Sequence, residues 1–143
     1  MKEKLPCLLS IFAVAILVVG CPSVGVAYEE HLGNGYVVRA TDVMEQAEIL
    51  KREKEGSKIT SISTVVPETV FAYGWNDDFI LAKRHPQKKD RKVDTSITHW
   101  YIVEVASGKV HGPLSEDEFN KLKTKLKVPA EISFKIIPYY WQM

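Results

Sequence analysis

The sequence predicts an α+β fold, mainly one antiparallel sheet of about five to six strands with a single amphipathic helix near the C-terminus, preceded by a signal-peptide helix. Three observations carry this expectation. The aromatic and β-branched run Thr69 to Trp75 meets a second run, Phe79 to Ala82, across the polar Asn76-Asp77-Asp78. A further strand-like stretch, residues 97–105, turns at Ser107-Gly108. Ser115-Glu116-Asp117-Glu118 then reads as a capping box, with Ser115 at the N-cap and Glu118 placed to return a bond to it.

In chain order, Lys2 and Lys4 give a short positive start, and no charge interrupts Leu5 to Gly20. This is the pattern of a secretory signal peptide. Its sixteen uncharged residues fall short of the ~20 usually needed to span the hydrocarbon core, so export is preferred over a permanent span. The leader closes on Val18-Val19-Gly20-Cys21, which resembles the lipobox of bacterial lipoproteins. The resemblance implies cleavage between Gly20 and Cys21 and a diacylglyceryl thioether on the Cys21 sulfur. The competing reading is ordinary secretion, because Gly25-Val26-Ala27 offers a small-x-small site before Tyr28. Cys7 would leave with the leader, so the mature chain keeps Cys21 and no disulfide framework.

Three segments follow: a leader (1–20), a lipidated cysteine and tether (21–34), and a single sheet-plus-helix domain (35–143). The tether is read from mixed composition with Gly25, Gly33 and Asn34, and a flexible chain of that length reaches about 20 Å. Of 19 basic and 18 acidic residues, Lys2, Lys4 and Glu3 lie in the leader, leaving 17 of each sign. That balance argues against nucleic acid as a partner, which needs a net basic footprint.

Asn34-Gly35 is a turn signal, and Tyr36 to Thr41 is a strand. Residues 43–55 mix helix formers with Ala47-Glu48-Ile49-Leu50, and strand is preferred there. Glu55-Gly56-Ser57 turns into a strand over 58–63. In the next hairpin Phe71, Tyr73 and Trp75 share one face and Phe79 and Leu81 share another. A three-residue loop at 76–78 would pair Tyr73 with Leu81 and bring both groups to one side, with Asn or Asp in the left-handed position. Residues 83–92 hold six basic side chains and one acid, Asp90, and read as an exposed loop. Its functional alternative is attraction to anionic headgroups. An even loop after residue 105 would set Glu104 opposite His111. Phe119, Leu122 and Leu126 form the helix's buried stripe, and Pro129 stops it. A last strand is expected at 132–136, followed by the aromatic tail Pro138-Tyr139-Tyr140-Trp141.

The stretch Tyr73 to Lys83 with His85-Pro86, then Tyr101-Ile102-Val103, and Gly108 to Ser115 leading to Glu118-Phe119, resembles an uncharacterised family of small bacterial lipoproteins. The resemblance spans most of residues 35–127 and implies a compact antiparallel sheet with a C-terminal helix on a lipid anchor. It implies no activity. Trp100-Tyr101 with Gly112-Pro113-Leu114-Ser115 and Glu118-Phe119 is similar, over a shorter span, to GYF-like modules that hold proline-rich peptides on an aromatic surface.

The chemistry-bearing residues point away from catalysis. Adjacent Asp77 and Asp78 suit turn formation. His31, His85, His99 and His111 lack metal-ligand spacing, and no phosphate loop or nucleophile elbow is present. Neither a cofactor nor a metal is expected, and an envelope hydrolase using Asp78 or His111 ranks last. The expectation is a membrane-anchored, non-catalytic envelope protein that contacts a protein or peptide. Its candidate surface is Tyr73, Trp75, Trp100, Tyr101 and Pro113.

Overall fold

The structure, a computed structural model, describes residues 25–138. The leader, Gly20 and Cys21, and the tail from Tyr139 onward lie outside the described residues. The first strand, β1 (Tyr28–Gly33), pairs antiparallel with β2 (Tyr36–Ala40). This corrects the expected tether, because six of its residues are sheet. The Asn34-Gly35 turn has both residues at positive φ, 50° and 82°, the geometry of a tight two-residue hairpin that twists with its strands.

A 3-10 turn at Met44–Gln46 follows, then β3 (Glu48–Glu55) and β4 (Lys58–Val66). Residues 43–55 are therefore a short helical turn feeding a strand, and the preferred strand reading holds from Glu48. Strands β1-β2-β3-β4 form the first sheet. The second holds β5 (Val70–Trp75), β6 (Phe79–Arg84), β7 (His99–Glu104), β8 (Lys109–Leu114) and the two-residue β9 (Lys135–Ile136), in the order β8-β7-β6-β5-β9. Among the described residues, nine strands in two sheets replace the single sheet expected, and all pairings are antiparallel.

Strands β5, β6 and β7 of the second sheet are covered on both faces, which explains their sequence. Tyr73, Ile80, Ala82, Tyr101 and Val103 pack against Tyr36, Val38, Ile49 and Val66 of the first sheet. Leu81 and Ile102 pack the other way, under Phe119 of the helix and Ile132. Strands buried on both sides carry near-continuous hydrophobic runs, so alternation along β5 to β7 is weak.

This double cover overturns the expected hairpin register. Trp75 pairs with Ile80 and Tyr73 with Ala82, so the loop is the two residues Asp77-Asp78. Phe71 and Trp75 pack toward the first sheet while Phe79 packs toward the helix. The two aromatic groups are split, as a two-residue loop requires. No residue at 76–78 takes positive φ. Instead the Asn76 side-chain oxygen accepts from the amides of Asp78 (2.9 Å) and Phe79 (2.8 Å) and closes the turn.

Helix α1 (Glu116–Leu126) has both capping-box bonds, with Ser115 and Glu118 exchanging side-chain and backbone contacts. It ends at Lys127, whose left-handed φ of 55° turns the chain before Pro129. Phe119 is buried, and Leu122 and Leu126 pack half-buried beside it.

The segment after the helix lies directly on β5. A Cβ placed on Gly74 would stand 2.3 Å from the Ser133 carbonyl oxygen and 3.1 Å from the Ile132 side chain. Backbone cannot yield as a side chain can. Gly74→Ala is expected to destabilise the domain by about 1–3 kcal/mol, the usual cost of overpacking. A denaturant midpoint unchanged from the parent would show that β5 and residues 132–134 are not in that contact.

Candidate functional site

The five residues expected to share a surface do not share one. Tyr73 (0 % exposed) and Tyr101 (4 %) are core residues between the two sheets. Trp75 is half-buried and stacks on Tyr73 with ring centroids 5.7 Å apart. Trp100 faces the helix side, 4.7 Å from Phe119 and 5.9 Å from Phe134. Pro113 is exposed. Trp100 and Tyr101, adjacent on β7, point to opposite faces of the sheet, so they do not line one aromatic groove. Tyr101 is instead spoken for by Gly112: a Cβ there would meet its ring at 2.3 Å.

Lys83 Nζ sits 4.0 Å above the Trp100 ring and 4.3 Å above Phe134. Burial lowers its pKa, with nearby Glu116 opposing. Two aromatic faces also favour the ammonium, so the side chain is held as a cation in an apolar cradle. Lys83 and Arg84 therefore belong to β6, not to an exposed loop.

The remainder of the basic stretch is a small ordered hairpin. His85 is buried, stacks on Phe71 at 4.2 Å, and its Nδ1 donates to the Ile97 carbonyl at 2.8 Å. Gln87 bridges to Val93, Lys88 N donates to Lys92 O (2.8 Å), and Arg91 turns the tip with a φ of 65°. Residues 87–92 at that tip are exposed, as expected.

This hairpin forms one wall of a cleft of about 860 Å³. Gln87, Arg91, Lys92, Val93 and Thr95 face Val43, Glu45, Gln46 and Glu68 across it. The opposite wall is the 3-10 turn, tied down by Gln46, whose side-chain oxygen accepts from Thr41 Oγ1 (2.9 Å) and Asp42 N (3.1 Å). One Glu45 carboxylate oxygen is buried without a hydrogen-bond partner among the described residues. The cleft thus sets carboxylates on one side and cations on the other. Sequence reading placed its cations, but not its acids, because Glu45 and Glu68 carry no motif and are brought there by the pairing of distant strands.

The histidines are dispersed. Glu104 pairs in the ladder with Lys109 and His111 with Ile102, so the expected backbone register is displaced by two residues. The side chains still meet: His111 Nε2 and Glu104 Oε1 lie 2.6 Å apart as a diagonal pair. His99 lies on β7 with its pKa lowered, chiefly by burial and further by Arg84. Asp77 and Asp78 are exposed at their turn. Among the described residues, no three His, Cys, Asp or Glu side chains gather as metal ligands. None of the helices described is long and apolar enough to cross a membrane.

The outer face of the first sheet carries a charged network. Arg52 donates to both Glu29 oxygens, at 3.0 and 2.8 Å, with Arg39 and His31 within 4 Å of the same carboxylate.

With this architecture in view, the chain belongs to the family described as a protein of unknown function, DUF3997, matched over residues 33–138. That span takes in eight of the nine strands in full, the helix and both walls of the cleft. Comparison with curated proteins and with solved structures gave no match.

The Arg52 guanidinium, more strongly than burial opposes it, holds the Glu29 carboxyl below the usual glutamate range. A depressed carboxyl contributes stability that is complete above the unfolded pKa and lost as pH falls through the folded one. Unfolding free energy measured across the acid range is expected to fall more steeply in the parent than in Arg52→Gln. Parallel curves would mean the ion pair makes no pH-dependent contribution.

Proposed function

We propose that this protein is a lipid-anchored envelope protein whose folded domain works by binding another protein or peptide, without catalysis. The observation that carries the anchor is Val18-Val19-Gly20-Cys21 behind a charged start and an uninterrupted apolar run. A thiol is the side chain able to take a diacylglyceryl group as a thioether, and small residues before it admit the peptidase to the backbone.

The start of the sheet sharpens this reading. Seven residue steps separate Cys21 from the first strand at Tyr28, and fully extended they span at most about 25 Å. A domain on so short a connection works beside the bilayer. Its cleft, with Glu45 and Glu68 facing Arg91 and Lys92, suits a partner that presents charges of both signs. The Asp77-Asp78 turn and the His111–Glu104 pair adjoin at one end of the second sheet, where Phe79 lies opposite Glu104 and Val105 N donates to the Asp78 carbonyl at 2.9 Å. The reading without catalysis rests on the sequence, which carries no nucleophile elbow or Cys-His pair.

Cys21→Ala in the full-length chain is expected to abolish processing and lipid attachment and to move the protein out of the lipid-modified membrane pool. Mass spectrometry of the parent would show a chain beginning at lipidated Cys21. A parent chain beginning with a free amine at Tyr28 would overturn the anchor.

The binding role has its own test. A photo-crosslinker at Gln87, on the cleft wall, is expected to capture one defined envelope protein in intact cells. The same group at Lys125, exposed on α1, should not capture it. Equal capture at both positions would overturn the assignment to the cleft.

A further inference from the structure

The hairpin of β3 and β4 runs past the rest of its sheet. Strand β2 pairs with β3 only from Glu48 to Lys51, so beyond Arg52 the neighbour of β3 is β4. Residues 58–64 of β4 are exposed throughout, with Ile59 at 42 % and Ile62 at 52 %. Strand β4 ends the sheet order, so its outer backbone edge faces no other strand among the described residues. An isolated two-stranded ribbon is marginal in water, and an open edge is a template for another strand.

The two strands of this arm differ in charge. On β3, Lys51 to Glu55 carries a charge at every position, the usual protection of an edge. On β4, Ile59 to Val66 has no charge and no proline. The unprotected strand is the one at the edge.

Its sequence is also nearly symmetric about Ile62. Reading outward, Ser61 mirrors Ser63, Thr60 mirrors Thr64, and Ile59 mirrors Val65. A two-fold axis makes a residue that contacts its mirror position receive the same contact in return, so a self-pairing edge needs this kind of symmetry. An antiparallel pair of β4 strands centred on Ile62 would oppose Ile62 to Ile62, Ser61 to Ser63, Thr60 to Thr64 and Ile59 to Val65. Hydroxyl and β-branched cross-strand pairs of this kind are favourable, and no like charges face each other. Bulges where β4 passes Thr60 and Val65 confine the regular stretch to residues between them.

We propose that two copies of this chain associate edge to edge through β4, joining their four-stranded sheets into one eight-stranded sheet across a two-fold axis at Ile62. The pairing uses neither the cleft nor the Cys21 anchor, so it stands whether or not those readings do.

Cysteine crosslinking in the full-length chain reads the register directly. Opposed residues of an antiparallel pair have Cα atoms about 4.5 or 5.5 Å apart, within the about 4.4–6.8 Å that a disulfide bridges. Ile62→Cys is therefore expected to give a disulfide-linked dimer under mild oxidation, above the background of the unsubstituted chain. Thr64→Cys alone should not, because its two copies sit about 13 Å apart along the strands. Thr60→Cys combined with Thr64→Cys should crosslink again. Equal crosslinking by Thr64→Cys and Ile62→Cys, or none by Ile62→Cys, would overturn the proposal, as would a crosslink from Ile62→Cys to a different protein. Light scattering on the unsubstituted full chain gives a second reading. The mass expected is that of a dimer, reduced to a monomer by Ile62→Lys, and a monomer at every concentration would overturn the pairing.

Discussion

The structure depends on the burial, from both sides, of the three central strands of its second sheet. Strands β5, β6 and β7 lie between the first sheet and the helix with the 132–134 segment, so successive residues must be apolar in both directions: Ile80 inward to one core, Leu81 to the other. This constraint sets the two-residue turn at Asp77-Asp78, because only that register delivers Tyr73 and Phe79 to different cores. It also demands glycine at residue 74, where backbone crosses backbone. Lys83, on the same sheet, lies beside a core with its ammonium over the faces of Trp100 and Phe134.

The first sheet is under weaker demands, and its outer face shows it. Val37 and Leu50 pair across strands and turn away from the inter-sheet core, yet both are buried on a face shared with Glu29, Arg39 and Arg52. Long charged side chains can cover apolar surface with their stems while their heads stay solvated. Further out, the β3–β4 arm has no such cover. One molecule therefore combines a doubly covered sheet that confers order with an open edge and an acid-base cleft available for contact.

Much of the local structure was legible in the sequence because local rules set it. The capping box at Ser115 and Glu118, the Asn34-Gly35 turn and the strands through Tyr73 and Ile102 follow from spacing and side-chain chemistry. The Asn-Gly turn also held the signal for β1, since a two-residue hairpin needs a strand on each side. Tyr28 to Leu32 reads as tether because it lies in a stretch of mixed composition holding Gly25, Gly33 and Asn34. What stayed hidden depends on partners distant in the chain. Alternation reports burial on one face only, so it could not reveal that Tyr73 and Tyr101 lie in the core between two sheets, nor that Glu45 and Glu68 would face Arg91 and Lys92.

Native-state hydrogen exchange tests the doubly covered sheet most directly. The interior amides of β6, Ile80 to Ala82, are central in the sheet and buried on both faces, so they should exchange only through global unfolding and more slowly than those of the edge strand β1. Exchange in β6 as fast as in β1 would mean that the sheet has an open face and that the two cores do not exist as described.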